Sequence, residues 1–510
     1  MLALKRISVS LLLIATLGGC SSLPEQVNHA QESVVVPQQG ALWSMSNQHP
    51  AQSDDVGDSA VLIQEAGWDA LSQRLALVEA AEYTLDIQYY IWNSDVTGGY
   101  LASRLLAAAD RGVKVRVMLD DINLNEREAL LNALDAHPNV EIRVFNPTPS
   151  RSGFSKWFSF LSDFSRLNRR MHNKSFTVDG VFSIVGGRNI GDEYFDYSDE
   201  INFRDRDVLV KGDVVGEIQS SFVEYWNSEW SYPVSLLSED KAPDLSLLEG
   251  LSTPSYVNYP SLPEGKEQAN TFLEQLMEDM VWVDAHFVYD RPIPVDSGET
   301  NQPKETAMIL GELAQKSQQE ILLESAYLVF DDGQLEEWQV LNKQGVEIRA
   351  LTNSMASNDL VTNHSAYAGR RQEMLEHGIE LFELRPDSAL CEASTKDAQK
   401  CAPYVAYGLH AKSVVFDKRI ASIGSFNFNL RSTYLNTESV LLIDSPEVAG
   451  ELASTISEAM NIDNSWRLDL EDGNVRWYSS DESWNSEPET GQWERAQSGF
   501  LQLLPIEKYL

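Results

Sequence analysis

Beyond the first twenty residues, this sequence has no long hydrophobic run. The chain contains 510 residues, of which 43% are hydrophobic and 9% aromatic, the proportions of an ordinary folded protein. No later apolar segment reaches the length that a membrane-spanning helix requires. The composition therefore predicts a soluble body, and the length predicts two domains rather than one hydrophobic core.

Positive charge is also scarce, with 39 lysines and arginines against 77 aspartates and glutamates and a formal net charge of −38. A protein that binds a phosphate polymer needs a basic face, so this balance disfavours nucleic acid as a substrate or partner. The exception is residues 151–170, which carry five basic residues and one acid. Histidine is scarce too: outside the motifs described below, no two of the eight histidines have metal-ligand spacing, so we predict no metal and no other cofactor.

The first twenty residues have the pattern of an export signal. Two basic residues precede an apolar run over 7–17, and two glycines and Cys20 follow it. With a leucine three places before the cysteine, the pattern resembles the bacterial lipobox, in which Cys20 is lipidated after cleavage of a 1–20 signal peptide. A plain signal peptide and a cytoplasmic amphipathic start are the alternatives.

The lipobox interpretation predicts the location of the protein and the state of its other cysteines. Residues 21–56, rich in Gln, Ser and Pro, would form a flexible tether from a lipid anchor, on the periplasmic side of the inner or outer membrane of a bacterial cell envelope. Cys391 and Cys401 would pair in this oxidising compartment, although two reduced thiols remain the alternative.

The body of the chain contains one unit twice. Strand-like, helical and strand-like segments follow one another over residues 83–119 and again over 321–351, which is the pattern of a βαβ unit. The duplication predicts an α/β protein with two homologous domains, each a mostly parallel sheet flanked by helices, related by a pseudo-twofold axis. The predicted divisions are domain 1 at 57–232, a linker with an inserted helix at 233–300, domain 2 at 301–461, and a Trp-rich C-terminal tail packed on the body at 462–510.

Each unit carries the same set of polar residues at the same spacing. The two sets are His172, Lys174, Asp179 and Asn189, and His410, Lys412, Asp417 and Asn427. A histidine and a lysine two apart on a strand project to one face. Imidazole can attack phosphorus, while the ammonium and the Asn amide hold the phosphate oxygens. The doubled set therefore predicts one phosphodiester-transferring site assembled from both units.

The doubled motif resembles that of the phospholipase D superfamily, and the similarity extends from about residue 60 to the C-terminus. Some stretches are similar to bacterial proteins of the cardiolipin synthase C type: Asp86-Ile-Gln-Tyr-Tyr-Ile-Trp92, Ala109-Asp-Arg-Gly-Val113, Leu351-Thr-Asn-Ser354 and Leu504-Pro-Ile-Glu507. The resemblance implies a two-step reaction at one site. It assigns attack on phosphorus to His172 and acid–base catalysis to His410, with the reverse assignment as the alternative.

Two further pairs of acids complete the predicted site. A carboxylate on the second nitrogen of each imidazole would fix its tautomer, and Asp205 and Glu438, 33 and 28 residues after the two histidines, are the candidates. Asp207 competes with Asp205, and ordinary surface acids are the alternative interpretation. Asp179 and Asp417 are instead expected at strand ends, as structural residues that hold turns.

An aromatic face precedes the first motif inside the basic stretch. Its residues fall at helical spacing: Phe154, Trp157, Phe158, Leu161 and Phe164. Rings bordered by cations suit a membrane interface, although a helix packed on the protein itself fits as well.

These observations predict a lipid-anchored phosphatidyltransferase, similar to cardiolipin synthase, that uses phospholipids such as phosphatidylglycerol or phosphatidylethanolamine. The alternatives are a phospholipase D hydrolase that releases phosphatidic acid, a metal-independent nuclease, and a non-catalytic envelope lipoprotein.

Overall fold

The computed structural model describes residues 23, 31–34, 36–51, 57–124, 128–149, 164–237, 243–248, 251, 253–255, 258–292 and 302–502. The predicted signal peptide with Cys20, parts of the tether (21–22, 24–30, 35 and 52–56), and the stretches 154–163 and 503–510 lie outside these residues. The prediction of a flexible tether is wrong over Ala41–Gln48, which is a helix whose Leu42 and Met45 side chains are buried.

The first half of the chain follows the predicted alternation of strands and helices. In chain order its elements are α1 Ala41–Gln48, β1 Ser59–Gln64, α2 Gly67–Ala80, β2 Thr84–Tyr89, α3 Val96–Asp110, β3 Lys114–Asp120, α4 Glu128–Asp135, β4 Val140–Phe145, α5 Phe164–Leu167, β5 Ser175–Val178, β6 Phe182–Gly186, β7 Ile201–Arg204, β8 Asp207–Gly212, α6 Val214–Trp226 and β9 Ser231–Pro233.

The second half repeats this order and then extends it. Its elements are α7 Gly265–Glu278, β10 Val281–Tyr289, α8 Glu305–Lys316, β11 Glu320–Ser325, α9 Asp332–Lys343, β12 Glu347–Asn353, α10 Val361–Glu376, β13 Ile379–Leu384, α11 Leu390–Thr395, β14 Ala406–Leu409, β15 Lys412–Phe416, β16 Ile420–Gly424, α12 Leu430–Tyr434, β17 Ser439–Asp444, α13 Pro446–Ala459, β18 Ser465–Glu471, β19 Asn474–Tyr478, β20 Ser483–Trp484 and α14 Gln492–Leu501.

Local sequence signals explain how the repeated βαβ units are bounded. The Asp95 side chain caps α3 by accepting a hydrogen bond from the Gly98 backbone at 3.0 Å. After α3 and α9, the chain turns through Gly112 and Gly345, whose φ angles of 99° and 96° suit glycine. The matching glycines of the two units thus mark the same helix ending.

Each half forms a mixed sheet rather than a mostly parallel one. The βαβ units give the parallel sets β2-β3-β4 and β11-β12-β13. Of the motif strands that follow, β5–β6 and β15–β16 are tight antiparallel hairpins, and longer segments bring β8 and β17 antiparallel to β6 and β16. β5 and β15 also pair antiparallel to β2 and β11. The expectation of a mostly parallel sheet is therefore wrong outside the βαβ strands, because a tight hairpin can join only antiparallel neighbours.

The two halves meet through equivalent strands. β1 pairs antiparallel with β8, and β10 pairs antiparallel with β17 in the same way. β1 and β10 also pair antiparallel with each other, as expected when equivalent strands meet across a twofold axis. A parallel pair between β7 and β14 forms a second connection. Because β10 belongs to the second sheet, the segment 233–300 contains more than the linker and inserted helix predicted for it.

The C-terminal segment is an extension of the second sheet. β18 pairs antiparallel with β13 and continues as a hairpin with β19, which buries Trp466 and Trp477. Trp493 is 79% exposed, so the expectation that the tryptophans of the tail pack on the body is wrong at this position. Trp493 lies in the first turn of α14, which contacts α10 through a hydrogen bond between Ser365 and Ser498.

Cys391 and Cys401 form a disulfide, with their Cα atoms 5.8 Å apart. The bond joins α11 to the segment that precedes β14 and the second motif.

Asp179 and Asp417 occupy equivalent turns at the ends of β5 and β15. Asp179 accepts hydrogen bonds of 2.8 to 3.0 Å from three consecutive backbone N–H groups at the start of β2, those of Glu82, Tyr83 and Thr84. Asp417 accepts bonds of 2.7 to 3.0 Å from three consecutive N–H groups at residues 318–320. Both acids have a φ of 51°, in the left-handed region. The geometry supports a structural role for both.

Asp179→Ala is expected to lower the free energy of unfolding by about 3 kcal/mol, because it removes three charge-assisted hydrogen bonds and places alanine at positive φ. Denaturant unfolding measures this change. Asp213→Ala, at an exposed residue before α6 whose side chain makes no capping bond, is the matched control. Equal stability of the two variants would contradict the structural role.

Candidate active site

The backbone of each motif histidine is held by the other half of the protein. His172 N–H donates to Thr437 O at 2.9 Å, and His410 N–H donates to Arg204 O at 2.8 Å. The first bond adjoins an isolated bridge between residues 171 and 437, and the second ends the β7–β14 pair. Thr437 and Arg204 directly precede the two candidate carboxylates.

The predicted carboxylates bind the two imidazoles, and the pairing crosses between the halves. His172 Nδ1 lies 2.7 Å from Glu438 Oε2, and His410 Nδ1 lies 2.5 Å from Asp205 Oδ2. The competing candidate, Asp207, instead forms an ion pair of 2.7 Å with a buried arginine. All four groups of the two pairs are buried.

This geometry defines the state of the imidazoles. A carboxylate only accepts hydrogen bonds, so each Nδ1 carries a proton and the lone pair of Nε2 is left for reaction. Burial lowers the pKa of His172 to about 4 and that of His410 to about 3. Both rings are therefore neutral near pH 7, as a nucleophile or a base requires.

The motif lysines lie beside the histidines. Lys174 Nζ donates to His172 O at 2.8 Å, and Lys412 Nζ donates to His410 O and lies 2.9 Å from its Nδ1. After burial, the charge of Lys412 is among the causes that lower the pKa of His172, and Lys174 acts likewise on His410. The two motifs thus share one electrostatic environment, as one site formed by both halves would.

The motif asparagines are not equivalent. Asn189 Nδ2 donates to Tyr194 Oη at 3.0 Å, and its Oδ1 accepts from the Ile91 backbone at 3.2 Å. Asn427 Oδ1 is buried without a hydrogen-bond partner among the described residues. An amide oxygen accepts hydrogen bonds and a phosphate oxygen does too, so only the Nδ2 group of either amide can bind phosphate. Phosphate binding by Asn189 and Asn427 therefore stays a prediction.

A family model described as "Cardiolipin synthase, PLD-like domain" matches the chain twice, over residues 75–226 and 310–460. Each match contains one complete motif with its own histidine and lysine. The chain belongs to this PLD-like family. It is an enzyme of the phospholipase D type, as the resemblance implied.

Two cardiolipin synthases are similar to this chain in sequence, and one solved structure is similar to it in fold. Cardiolipin synthase C of Escherichia coli K12 is 34% identical over 478 residues, which cover 92% of this chain and 98% of that protein. A cardiolipin synthase of Geobacillus kaustophilus is 28% identical, over 77% of this chain and 63% of that protein. The crystal structure of phosphatidylserine synthase from Haemophilus influenzae Rd KW20 has a similar fold, with a TM-score of 0.56, 13% identity, and coverage of 92% of this chain and all of that one.

Small residues make room for the carboxylates in this PLD-like site. A Cβ at Gly187 would lie 2.2 Å from Asp205 Oδ1, so the position requires glycine. The equivalent residue of the second half, Ser425, instead donates to Glu438 Oε2 at 2.6 Å, and Ser432 donates to Oε1 at 2.6 Å. The sequence prediction missed both serines, although Ser425 lies only two residues before the motif asparagine of its half.

Two arginines fix the segment between β7 and β8 that carries Asp205. Arg204 Nε donates to Glu324 Oε1 at 3.1 Å, and Arg206 binds the other oxygen of Glu324. Arg206 also donates to Ser413 Oγ at 2.9 Å. Since Glu324 and Ser413 belong to the second half, these buried contacts hold Asp205 next to His410.

Two aromatic rings that the sequence analysis did not identify line the PLD-like site. The Tyr90 ring packs edge-on against His172 at 4.8 Å between centroids, and the Tyr194 ring packs similarly on His410 at 5.0 Å. Burial raises the pKa of Tyr90 to about 12, so it stays a neutral donor. The only sequence signal was position, because Tyr90 lies within the family-like stretch 86–92 and Tyr194 follows Asn189 by five residues.

The part of the chain that the structure describes contains neither a membrane-spanning helix nor a metal-binding cluster. No helix in the described ranges is long and apolar enough to cross a membrane. Within the same ranges, no group of three or more His, Cys, Asp and Glu side chains is arranged to hold a metal ion.

The motif lysines predict that activity falls at a lower pH than the ordinary lysine pKa would suggest. Burial lowers the pKa of Lys174 to about 7 and that of Lys412 to about 8, and both must be protonated to hold an anionic phosphate. As pH rises through this range, positive charge is lost and kcat/KM should fall. Lys174→Arg keeps its charge, so the limit should move from about 7 to about 8. Profiles of kcat/KM against pH on a soluble phosphodiester test this, and a limit near the ordinary lysine pKa would contradict it.

Proposed function

We propose that this protein is a phosphatidyltransferase of the cardiolipin synthase type. It cleaves the phosphodiester bond of a membrane phospholipid and passes the phosphatidyl group to an alcohol through a phosphohistidine intermediate. The crossed His–carboxylate pairs carry this proposal, because they supply two oriented neutral imidazoles in one environment with two ammonium groups. The names of the two cardiolipin synthase relatives support the choice of substrate class.

In the first step, His172 Nε2 attacks phosphorus as the bond to the leaving alkoxide breaks. Entry of the phosphate anion raises the pKa of the nearby imidazoles, which allows His410 to hold a second proton on Nε2 and to give it to the leaving oxygen. Glu438 stabilises the positive charge that develops on His172, as Asp205 does for His410.

In the second step, His410 Nε2 takes the proton of the acceptor hydroxyl, the hydroxyl oxygen bonds to phosphorus, and the bond to His172 breaks. The proton given up in the first step is thereby recovered, and the enzyme returns to its starting state. Lys174, Lys412 and Asn427 hold the non-bridging oxygens in both steps. The reverse assignment of the two histidines is the alternative within this mechanism.

The function is tested by mass spectrometry of the lipid products. Purified protein is incubated with vesicles of isotope-labelled phosphatidylglycerol, with and without phosphatidylethanolamine. A product with two phosphatidyl groups on one glycerol is expected. Phosphatidic acid alone would replace the transferase with the hydrolase, in which water is the acceptor.

A nuclease and a non-catalytic envelope protein both have less support than the transferase. A nuclease of this type would have to bind a polyanion, although the protein itself has a net charge of −38. A non-catalytic envelope protein would not need two complete motifs with buried, paired histidines. Cleavage of DNA without any lipid product would favour the nuclease.

We also propose that lipidated Cys20 anchors the protein on the periplasmic side of the bacterial envelope and so presents the site to phospholipid. Cys20→Ser is expected to move the protein from the membrane fraction to the soluble fraction, with activity on detergent-dispersed substrate unchanged. Retention of the variant in the membrane fraction would contradict the lipid anchor.

A further inference from the structure

The two sides of the candidate active site differ in charge, although the halves are equivalent in fold. Positions that precede the two histidines by two residues hold Arg170 in the first half and Gly408 in the second. Positions that follow the two motif asparagines by four residues hold Glu193 in the first half and Arg431 in the second. The two halves therefore share the motif residues, but in each of these two equivalent pairs only one member is an arginine.

Both arginines lie on the His172 side. Arg170 is 4% exposed, and its backbone carbonyl accepts the Thr437 N–H at 2.9 Å, next to the bond that holds His172. Arg431 crosses from the second half and donates to the side chain and the backbone oxygen of Asn168 at 3.0 and 3.1 Å. Both guanidinium groups act on the pKa of Tyr90, whose ring packs against His172.

Buried donors at this place have no acceptor. Arg170 Nε and Asn168 Nδ2 are both buried and lack a hydrogen-bond partner within the described ranges. Arg170 contacts Asp120 at 3.3 Å, but Asp120 also accepts the Met171 and Ile122 backbone N–H groups at 2.9 Å. Unpaired donors in a buried place are costly, and an anion would satisfy them.

The His410 side of the site carries carboxyl groups instead of arginines. Glu193 is held by Asn93 Nδ2 at 2.8 Å, and Tyr327 Oη donates to Asp359 at 2.9 Å. Burial raises the pKa of Glu193 to about 7, and the charges of Asp95 and Asp192 add to this rise. A carboxyl with this pKa is only partly ionised near pH 7, so it repels an anion weakly. The two arginines are therefore what would draw a second anion to the His172 side.

We infer that Arg170, Arg431 and Asn168 form a subsite for a second phosphate, separate from the phosphate that reacts. This inference rests on the proposed function and identifies what selects the acceptor. The reacting phosphate is held by the motif histidines, lysines and Asn427, whereas guanidinium forks suit an additional phosphodiester. The subsite favours an acceptor alcohol that carries its own phosphodiester, such as the headgroup of an anionic glycerophospholipid, over a neutral alcohol.

The test compares acceptors in wild-type protein and in Arg431→Gln. Transfer is measured to phosphatidylglycerol in vesicles, to soluble glycerophosphoglycerol and to glycerol, and hydrolysis to phosphatidic acid is measured in parallel. Arg431→Gln is expected to lower kcat/KM for both phosphate-bearing acceptors about 10- to 100-fold, with hydrolysis and transfer to glycerol unchanged. Arg431→Lys, which keeps the charge without the fork, should give an intermediate loss.

Controls separate the possible failures. Arg467→Gln, at a half-exposed arginine of β18 outside the site, should not change any of the rates. An equal loss for all acceptors, or no loss, would overturn the subsite, and a loss confined to vesicles would assign Arg431 to membrane binding. Binding of glycerophosphoglycerol is also measured by calorimetry, which needs no turnover. Weaker binding by Arg431→Gln supports the subsite even if the wild-type protein shows no transfer. Absence of transfer by the wild type would reject the proposed function alone.

Discussion

His172→Ala is expected to lower phosphatidyl transfer by about 10⁴-fold or more, because the variant lacks the group that bonds to phosphorus. Removing a covalent nucleophile abolishes both steps, so a better leaving group or a stronger acceptor should not restore activity. The measurement is the initial rate on labelled phospholipid in detergent, together with thermal unfolding to confirm that the variant is folded.

The matched control is His286→Ala. His286 lies on β10, its side chain is 67% exposed, and it contacts Glu217 and Asp284 away from the motifs. Its rate should stay within about twofold of wild type, as expected of a surface change. If His172→Ala retained a tenth of wild-type activity, the covalent mechanism would be wrong.

Glu438→Gln and Asp205→Asn should have the next largest effects, with losses of about 10² to 10⁴ in kcat and little change in KM. An amide can donate as well as accept, so it no longer fixes the proton on Nδ1 or stabilises the imidazolium ion. Asp199→Asn, at an acid that is 90% exposed, is the control for a simple loss of negative charge.

The crossed pairing makes these two variants distinguishable. Glu438 orients His172, so Glu438→Gln should suppress the first step even with a p-nitrophenyl leaving group, which needs no acid. Asp205 orients His410, whose acid role this substrate does not need, so Asp205→Asn should still release a burst of p-nitrophenol. The opposite pattern would mean that the histidines have the reverse roles, and identical behaviour of the two variants would contradict separate roles.

The duplicated units made much of this architecture predictable. The βαβ strands, the two motifs and the turn-holding position of Asp179 and Asp417 each follow from local spacing that the second half repeats. The antiparallel pairing of β8 and β17 with the motif strands, and the strand β10 before residue 301, were missed because pairing between distant strands leaves little trace in one sequence.

The crossing of Glu438 to His172 could not be predicted from one sequence. In a duplicated chain, contacts within a half and between the halves are equally compatible with the spacing of residues. Direct comparison of the halves would have found the charge difference at Arg170 and Arg431, whose equivalents in the other half are Gly408 and Glu193. Residues that differ between the two halves are not needed for the shared motif chemistry, so they are where selection of the acceptor is expected.

The covalent intermediate provides the most direct test of the account. His410→Asn lacks the base for the second step, so after reaction with a p-nitrophenyl phosphodiester it should retain the phosphoryl group. Peptide mass spectrometry of the quenched protein should find one adduct per chain, on His172. An adduct on another residue, or p-nitrophenol release without any adduct, would contradict attack by His172 in a single shared site.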